Sequence, residues 1–383
     1  MKNRTCARPG SSGGALARTG VSLVLSGCLA GASAAFAAPA PASALAAPAG
    51  SPDQHGTVVA WGNNISGQCT PPSDLGVVTA ISTFASHNAA MQANGVPVCW
   101  GASTSGQCRL PVFGSPPTQV SAGLNHTAAR MMDGTVICWG NNSNGQCEVP
   151  FALSGVATVV CGSRVTFAIK NDGSVLGWGL NIPGIMTPPA NLGAVATLRC
   201  GSEHAVVRTV AGEVRCWGSN WNGSSMWVGQ LDVPASVTTV LDASAGAYHS
   251  LAVRTDGSVA CWGENSSGQC AVPIDLPAAT HVSGGNAHSA ALLANGTVRC
   301  WGSDTYGQCA VPLGLSDVVH VSCGTWHTVA LTDAGEVVSW GRNHVGQCTP
   351  PSDPGELQQV AGGLSHTLAL RTNGTIVSWG DNT

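Results

Sequence analysis

Residues 300–341 read CWGSDTYGQCAVPLGLSDVVHVSCGTWHTVALTDAGEVVSWG, and most of the chain is a copy of them. The stretch opens on Trp-Gly and returns to Trp-Gly once per cycle. The dipeptide stands at Trp61, Trp100, Trp139, Trp178, Trp217, Trp262, Trp301, Trp340 and Trp379, at steps of 39 residues with a single step of 45. A fixed period of about 40 residues is the mark of a repeat architecture, in which one supersecondary unit is stacked many times.

Each cycle holds four short apolar runs separated by turn residues, so it reads as four strands. In the quoted cycle strand D covers 308–312, strand A 318–323, strand B 327–331 and strand C 336–340. The B–C turn carries Gly in every copy, as at Gly134, Gly173 and Gly335, which suits a hairpin residue at positive φ. Strand D ends in Pro in each copy from Pro72 to Pro351, and Pro is tolerated on a sheet edge because it has no N–H to donate. Four-stranded units in tandem are the blades of a β-propeller, apolar on both faces because each packs between two neighbours. The fold class is therefore all-β, a single propeller of seven or eight blades. The strand count favours eight, with N- and C-terminal strands sharing the closing blade and one C strand spare. The chain stops at Gly380-Asp381-Asn382-Thr383, where another hairpin would begin, as in a truncated chain.

Composition agrees. Charged residues make up 9% against about 25% in an ordinary soluble chain, and there are 50 Gly. The net charge of −4 leaves no basic footprint for nucleic acid. Residues 1–37 read as an export signal: Lys2, Arg4, Arg8 and Arg18 precede an apolar run from Val21 to Phe36, and Ala35-Phe36-Ala37 is a small-x-small cleavage site. In a rival reading, Leu25-Ser26-Gly27-Cys28 is a lipobox and Cys28 carries a lipid anchor, the one route by which this chain would meet a membrane. Both readings place the protein outside the cytoplasm, as a secreted, periplasmic or cell-surface chain. Residues 38–56 form an Ala/Pro-rich linker, and 57–383 the propeller.

The pattern WGxNxxGQ, then Pro, then GxxHxxAL, then DGxVxxWG resembles the regulator of chromosome condensation repeat. The compact 39-residue cycle is most similar to its secreted branch, that of β-lactamase inhibitor protein II. The resemblance covers the chain after residue 56. It implies a propeller and, for the secreted branch, loops on one face that grip another protein. One fold hosts many activities, so it names no partner.

Four cycles hold Cys pairs nine residues apart, with Trp-Gly after the first and Gly-Gln before the second: Cys99–Cys108, Cys138–Cys147, Cys261–Cys270 and Cys300–Cys309. In a symmetric C–D hairpin the two face each other within disulfide reach, and an exported chain is oxidised. Zinc is the alternative, but no C-x₂-C spacing occurs. The sequence leaves the pairing of Cys69, Cys161, Cys200, Cys216, Cys323 and Cys348 open. His recurs at the start of strand B, at His87, His126, His204, His249, His288, His327 and His366, with Val165 the exception. A residue found once per blade is spread around a ring, too dispersed for one metal. These His are read as structural, each bonding its own turn, and the recurring Gln of Gly-Gln likewise. No nucleophile elbow, phosphate loop or H-E-x-x-H occurs, so no enzyme, cofactor or metal is expected.

If sameness is framework, function sits where the repeats differ. The A–B and C–D connections share one face and carry the variety. Candidate binding residues there are Phe84, where Gly is expected, Arg164, Glu203, Tyr248 and Trp326, with Tyr306 and His344 from the C–D loops. The 45-residue cycle adds the loop SNWNGSSMWVGQ, with Trp221, Met226 and Trp227. Aromatics and Arg on loops of a rigid scaffold fit a protein-binding surface, with a β-lactamase or other cell-wall enzyme as one target. The alternative is a glycan, which would stack on the same rings. An enzyme is the third reading, with Arg164 and Glu203 as its only titratable pair.

Overall fold

The computed structural model describes residues 61–180, 184–350, 355–372 and 376–379. The export signal, the linker and Cys28 lie outside the described residues. Among the described residues the strands form eight antiparallel sheets, each in the order A–B–C. We number the blades along the chain: blade 1 spans 78–101, blade 2 117–140, blade 3 156–179, blade 4 195–218, blade 5 240–263, blade 6 279–302, blade 7 318–341 and blade 8 357–379. Blade 8 also takes Trp61–Gly62, with Gly62 opposite His366 and Trp61 opposite Thr367. Ile376–Trp379 pairs along the same edge of strand B, so the two ends of the repeat region both supply a C strand to the last blade. Leu368 and Leu370 of blade 8 pack with Val78, Ile81 and Trp100 of blade 1, which closes the ring.

Strand A has a fixed irregularity. In every blade the A–B ladder shifts after its first residue, as between Val78 and Ala80. Such a bulge tightens the twist of the strand. The fifth residue of strand A then reaches the next blade: the Ser82 hydroxyl accepts the Ala122 N–H at 2.9 Å, Ser121 the Cys161 N–H at 3.0 Å, and Ser283 the Cys323 N–H at 3.0 Å. The third residue does the same at Gln119, whose amide both donates to the Val159 carbonyl and accepts its N–H, each at 3.0 Å. Apolar layers fill the space between sheets, and all but the one around Val329 and Val360 hold one of the repeated Trp residues among the described residues, as Trp139 beside Val120 and Met131, or Trp301 beside Val282 and Leu251.

Segment D is not a strand. Its backbone groups are taken by its own loop: Cys147 N–H donates to the Asn142 side chain at 2.9 Å, and Glu148 N–H to the Gly145 carbonyl at 3.0 Å. With those donors occupied and Pro following, no ladder to strand C forms, and each blade is a three-stranded sheet with an irregular fourth segment. The expected bridges form at Cys99–Cys108 and Cys261–Cys270, both with Cα atoms 4.9 Å apart. Cys138, Cys147, Cys300 and Cys309, expected to pair likewise, are free thiols. The Cys147 and Cys309 thiols are turned instead onto the Asn141 and Ser303 carbonyls, at 3.3 Å each.

The strand B histidines correct the sequence reading more usefully. They do not bond their own turns. Each Nε2 lies against the second residue of strand B in the next blade: His87 on Thr127 at 3.0 Å, His126 on Thr166 at 2.9 Å, His204 on Ser250 at 3.1 Å, and His366 on Asn88 at 2.9 Å across the closure. The hydroxyl in turn donates to the backbone carbonyl of the recurring Gln, as Thr127 to Gln107 at 2.8 Å. The same carbonyl accepts the Trp139 indole N–H at 2.9 Å. The Gln side chain does serve its own loop, accepting the Ser105 N–H at 2.9 Å. Room for the imidazole requires Gly just before it: a Cβ on Gly123 would sit 2.4 Å from the His126 ring.

Candidate functional site

The two faces separate as expected. On one, C–D loops bond to A–B loops, as Ala102 N–H to the Ser86 carbonyl at 2.8 Å, and A–B loops bond to one another around the mouth, as Ser202 N–H to the Ala247 carbonyl at 2.9 Å. On the other, B–C turns meet D–A segments, as Val156 N–H to the Gly134 carbonyl at 3.0 Å. That second face is less uniform than its sequence suggests. Val112, Phe151, Ile274 and Leu313 stand fully exposed, each directly after the Pro of its segment.

Two aromatic groups occupy the variable face. In the long loop of blade 4, Trp221 and Trp227 face each other across a short antiparallel bridge, their rings edge-to-face at 5.8 Å, and both remain half exposed beside an exposed Met226. The loop is held from within: Asn220 accepts the Leu231 N–H at 2.7 Å, and Asn222 donates to Glu264 of blade 5 at 3.2 Å. At blades 6 and 7, Tyr306 meets Trp326 edge-to-face at 5.7 Å, and the Arg342 guanidinium lies 4.9 Å from the Tyr306 ring centroid. His344 is exposed in the same C–D loop as Arg342, its ring 3.4 Å from the Gln347 amide, and burial together with Arg342 lowers its pKa.

Phe84 does not belong to this surface. It is 2% exposed and packs with Met91, Val120 and Met131 in the layer between blades 1 and 2. Its bulk replaces a Gly, but the ring turns into the core.

Arg164, Glu203 and Tyr248 come together. They line one cavity of about 210 Å³ over the seam between blades 3 and 4, with Val165, Leu180 and Ile185 as its apolar wall. The loop of blade 4 passes close by, since a Cβ on Gly223 would lie 2.6 Å from the Tyr248 hydroxyl. On its other side Arg164 borders a second, polar hollow of about 330 Å³ with Asn125, Asn141 and Asn144.

Sequence reading missed what lies beneath that cavity. At this seam the side chains of the polar relay are gone: Val165 stands for His, Ala205 for the Ser or Thr of the next blade, and Ile185 for the recurring Gln, although the Ile185 carbonyl still accepts the Trp217 indole N–H at 2.8 Å. The three are buried in one apolar cluster with Leu198 and Trp217. The exchange could have been found by aligning the cycles column by column, because the three departures fall in adjacent cycles at partnered positions.

Another group lies on the inner strands. The buried Asp242 carboxylate pairs with His281 and accepts the Val282 N–H at 3.1 Å, and the His281 ring stacks on His320 at 5.6 Å. Burial pushes the Arg199 pKa down while Asp242 opposes that shift. Burial works to raise the Asp242 pKa, but His281, Arg199 and the Val282 N–H outweigh it and hold it below the usual carboxylate range. Among the described residues, no group of three or more His, Cys, Asp or Glu is placed to hold a metal ion.

Five stretches, residues 118–146, 240–269, 279–308, 318–347 and 358–383, match the regulator of chromosome condensation (RCC1) repeat, so the chain carries repeats of that type. They cover less than half of it, and no match falls within blades 1, 3 and 4. No curated protein matches. Among solved structures, the yeast RCC1 (Prp20) bound to Kap60 is similar at 14% identity and TM-score 0.53, over 89% of this chain and 97% of that one. Prp20p from Saccharomyces cerevisiae, described with its binding to Gsp1p and histones, is similar at 17% identity and TM-score 0.51, over 67% and 81%. The ectodomain of the Physcomitrella patens receptor kinase CR4 is similar at 18% identity and TM-score 0.51, over 80% and 75%. At these identities the likeness is one of fold.

Proposed function

We propose that this RCC1-type propeller is a non-enzymatic protein that binds another protein through its A–B/C–D face. The supporting observation is the pair of exposed aromatic groups, Trp221 with Trp227 and Tyr306 with Trp326 and Arg342, held on anchored loops of that face. Trp, Tyr and Arg dominate interface hot spots, and rings already fixed by their neighbours lose little freedom on binding. The two disulfides fit an oxidising compartment, and we take the protein to act outside the cytoplasm. An inhibitor of a β-lactamase or another cell-wall enzyme would suit such a face. A glycan-binding propeller would use like pockets in several blades, whereas these two groups differ in composition and in the loops that build them.

The test compares wild type with the triple variant Trp221→Ala, Trp227→Ala and Trp326→Ala, both immobilised and exposed to the secreted fraction of the host. Proteins retained by wild type should be lost from the variant. Equal retention of the same proteins by both would defeat the reading. Titration into the hydrolysis of a chromogenic β-lactam tests the inhibitor version, and a glycan array tests the alternative.

A further inference from the structure

The cavity between blades 3 and 4 combines three properties. One wall is apolar where other seams carry the relay, because Val165 and Ile185 replace the His and the Gln, while Ser163, Ser202 and His204 line the rest. Its rim carries an Arg164 guanidinium and a Glu203 carboxylate with no ion pair or side-chain hydrogen bond among the described residues. At about 210 Å³ it falls below the roughly 300 Å³ at which pockets for whole small ligands begin, but it has room for one large side chain.

A seam that served only to join two blades would gain from the relay used at the others. Every other strand B histidine finds its hydroxyl or amide partner. Replacing His, Gln and Ser or Thr together by Val, Ile and Ala removes the relay's side chains as a set, so none of them is left without its partner, and opens an apolar wall to the face beside the buried Ser202 hydroxyl and His204 Nδ1. Unpaired charges of opposite sign on the rims of blades 3 and 4 would then favour a partner segment of matching charge, since complementary potentials fix register more than affinity.

We propose that this seam is an anchor pocket taking one bulky aliphatic or aromatic side chain from a protein partner, flanked by an acidic residue facing Arg164 and a basic residue facing Glu203. The proposal rests on the reading of this face as a protein-binding surface and names the feature the partner must present. Tyr248, half-buried at the edge, closes the blade 5 side of the pocket.

The probe is a random peptide display library selected on the immobilised full chain. Enriched peptides should share one bulky apolar residue between opposite charges. Recovery should fall at least tenfold on Val165→His, Ile185→Gln and Ala205→Thr combined, which installs the relay of the other seams and so should preserve the fold. The surface swap Arg164→Glu with Glu203→Arg should select the reverse charge order. No enrichment on wild type, undiminished recovery on the relay variant, or an unchanged charge order on the swap would each overturn the proposal. Peptides that fail on the Trp221, Trp227 and Trp326 variant but bind the relay variant in full would sink the pocket and spare the face. The converse would sink the aromatic groups and spare the pocket.

Discussion

The His126 imidazole and the Thr166 hydroxyl meet 2.9 Å apart across the boundary between blades 2 and 3, forty residues apart in the chain. Thr166 passes the bond on to the Gln146 carbonyl at 2.9 Å. Cutting either partner strands a buried polar group. His126→Val alone should cost about 2–4 kcal/mol, from lost volume and the unpaired hydroxyl. His126→Val with Thr166→Ala, which imitates Val165 and Ala205, should cost less than the sum of the single changes, by about 1 kcal/mol or more. Urea unfolding of the four proteins gives the cycle, and strict additivity would show that the two residues do not act as a pair.

Acid should unfold this protein before its carboxylates protonate. Burial lowers His126, His204, His288 and His366 to about 4 from 6.5. Burial and neighbouring histidines lower His87, His249 and His327 to about 3. A His whose folded pKa lies below its unfolded value favours unfolding as pH falls below 6.5, and the loss grows until the folded pKa is reached. At pH 5 that is about 2 kcal/mol for each ring, against a total stability of about 5–15 kcal/mol. The unfolding midpoint in urea should drop steadily between pH 7 and pH 5, where carboxylates are still charged. A flat profile over that window would contradict the buried relay.

Asp242 and Arg199 are departures that compensate one another. The equivalent positions elsewhere hold Gln119 or Gln359 and Ser82 or Ser283. Asp242→Asn removes the charge facing Arg199 and His281, and breaking a buried pair this way costs about 3–5 kcal/mol. Asp242→Gln with Arg199→Ser, which returns both sites to the usual residues, should recover much of that loss. Thermal melts of both variants test it, and equal destabilisation would mean that the two sites are independent.

Thiol chemistry should divide the cysteines into three groups. Cys99, Cys108, Cys261 and Cys270 should resist alkylation until reduced. Burial pushes Cys200 and Cys216 up to about 12, so in the native state they should alkylate slowly at pH 8. Cys147, only partly buried and raised to about 11 by burial, should alkylate ahead of them. Mass spectrometry after native and denatured labelling reads all three. Opening Cys99–Cys108 by a pair of Ala substitutions should cost about 2–3 kcal/mol in the loop-entropy model, seen as a lower melting temperature.

The ring was legible because packing repeats: Trp between sheets and Gly in the B–C turns leave columns at a fixed period. The fate of segment D was not, since its apolar residues and Pro suit an edge strand, and only the loop bonds of Asn142 and its equivalents show that the donors are spent. A column of histidines says that the residue is structural but not which blade it touches. Phe84 misled because a large residue in a Gly column reads as surface variety until the core is seen. Arg164, Glu203 and Tyr248 were chosen as irregularities of one column, which is why neighbouring blades bring them together. Ile185 and Ala205 went unnoticed because each is bland alone and informative only beside Val165.

Blade 8 takes its A and B strands from residues 357–371 and the Trp61–Gly62 pairing from the other end of the repeat region. During synthesis, Gln68 can dock on Asn88 and Trp100 as soon as blade 1 forms, but Trp61 and Gly62 have no strand to join until the chain has reached Arg371. Closure is therefore the last event of folding, and a ribosome stalled anywhere in blades 1 to 7 holds an open arc with two unmatched flanks. Two such arcs could complete one another, so arrested or damaged chains should associate in pairs while finished ones stay single.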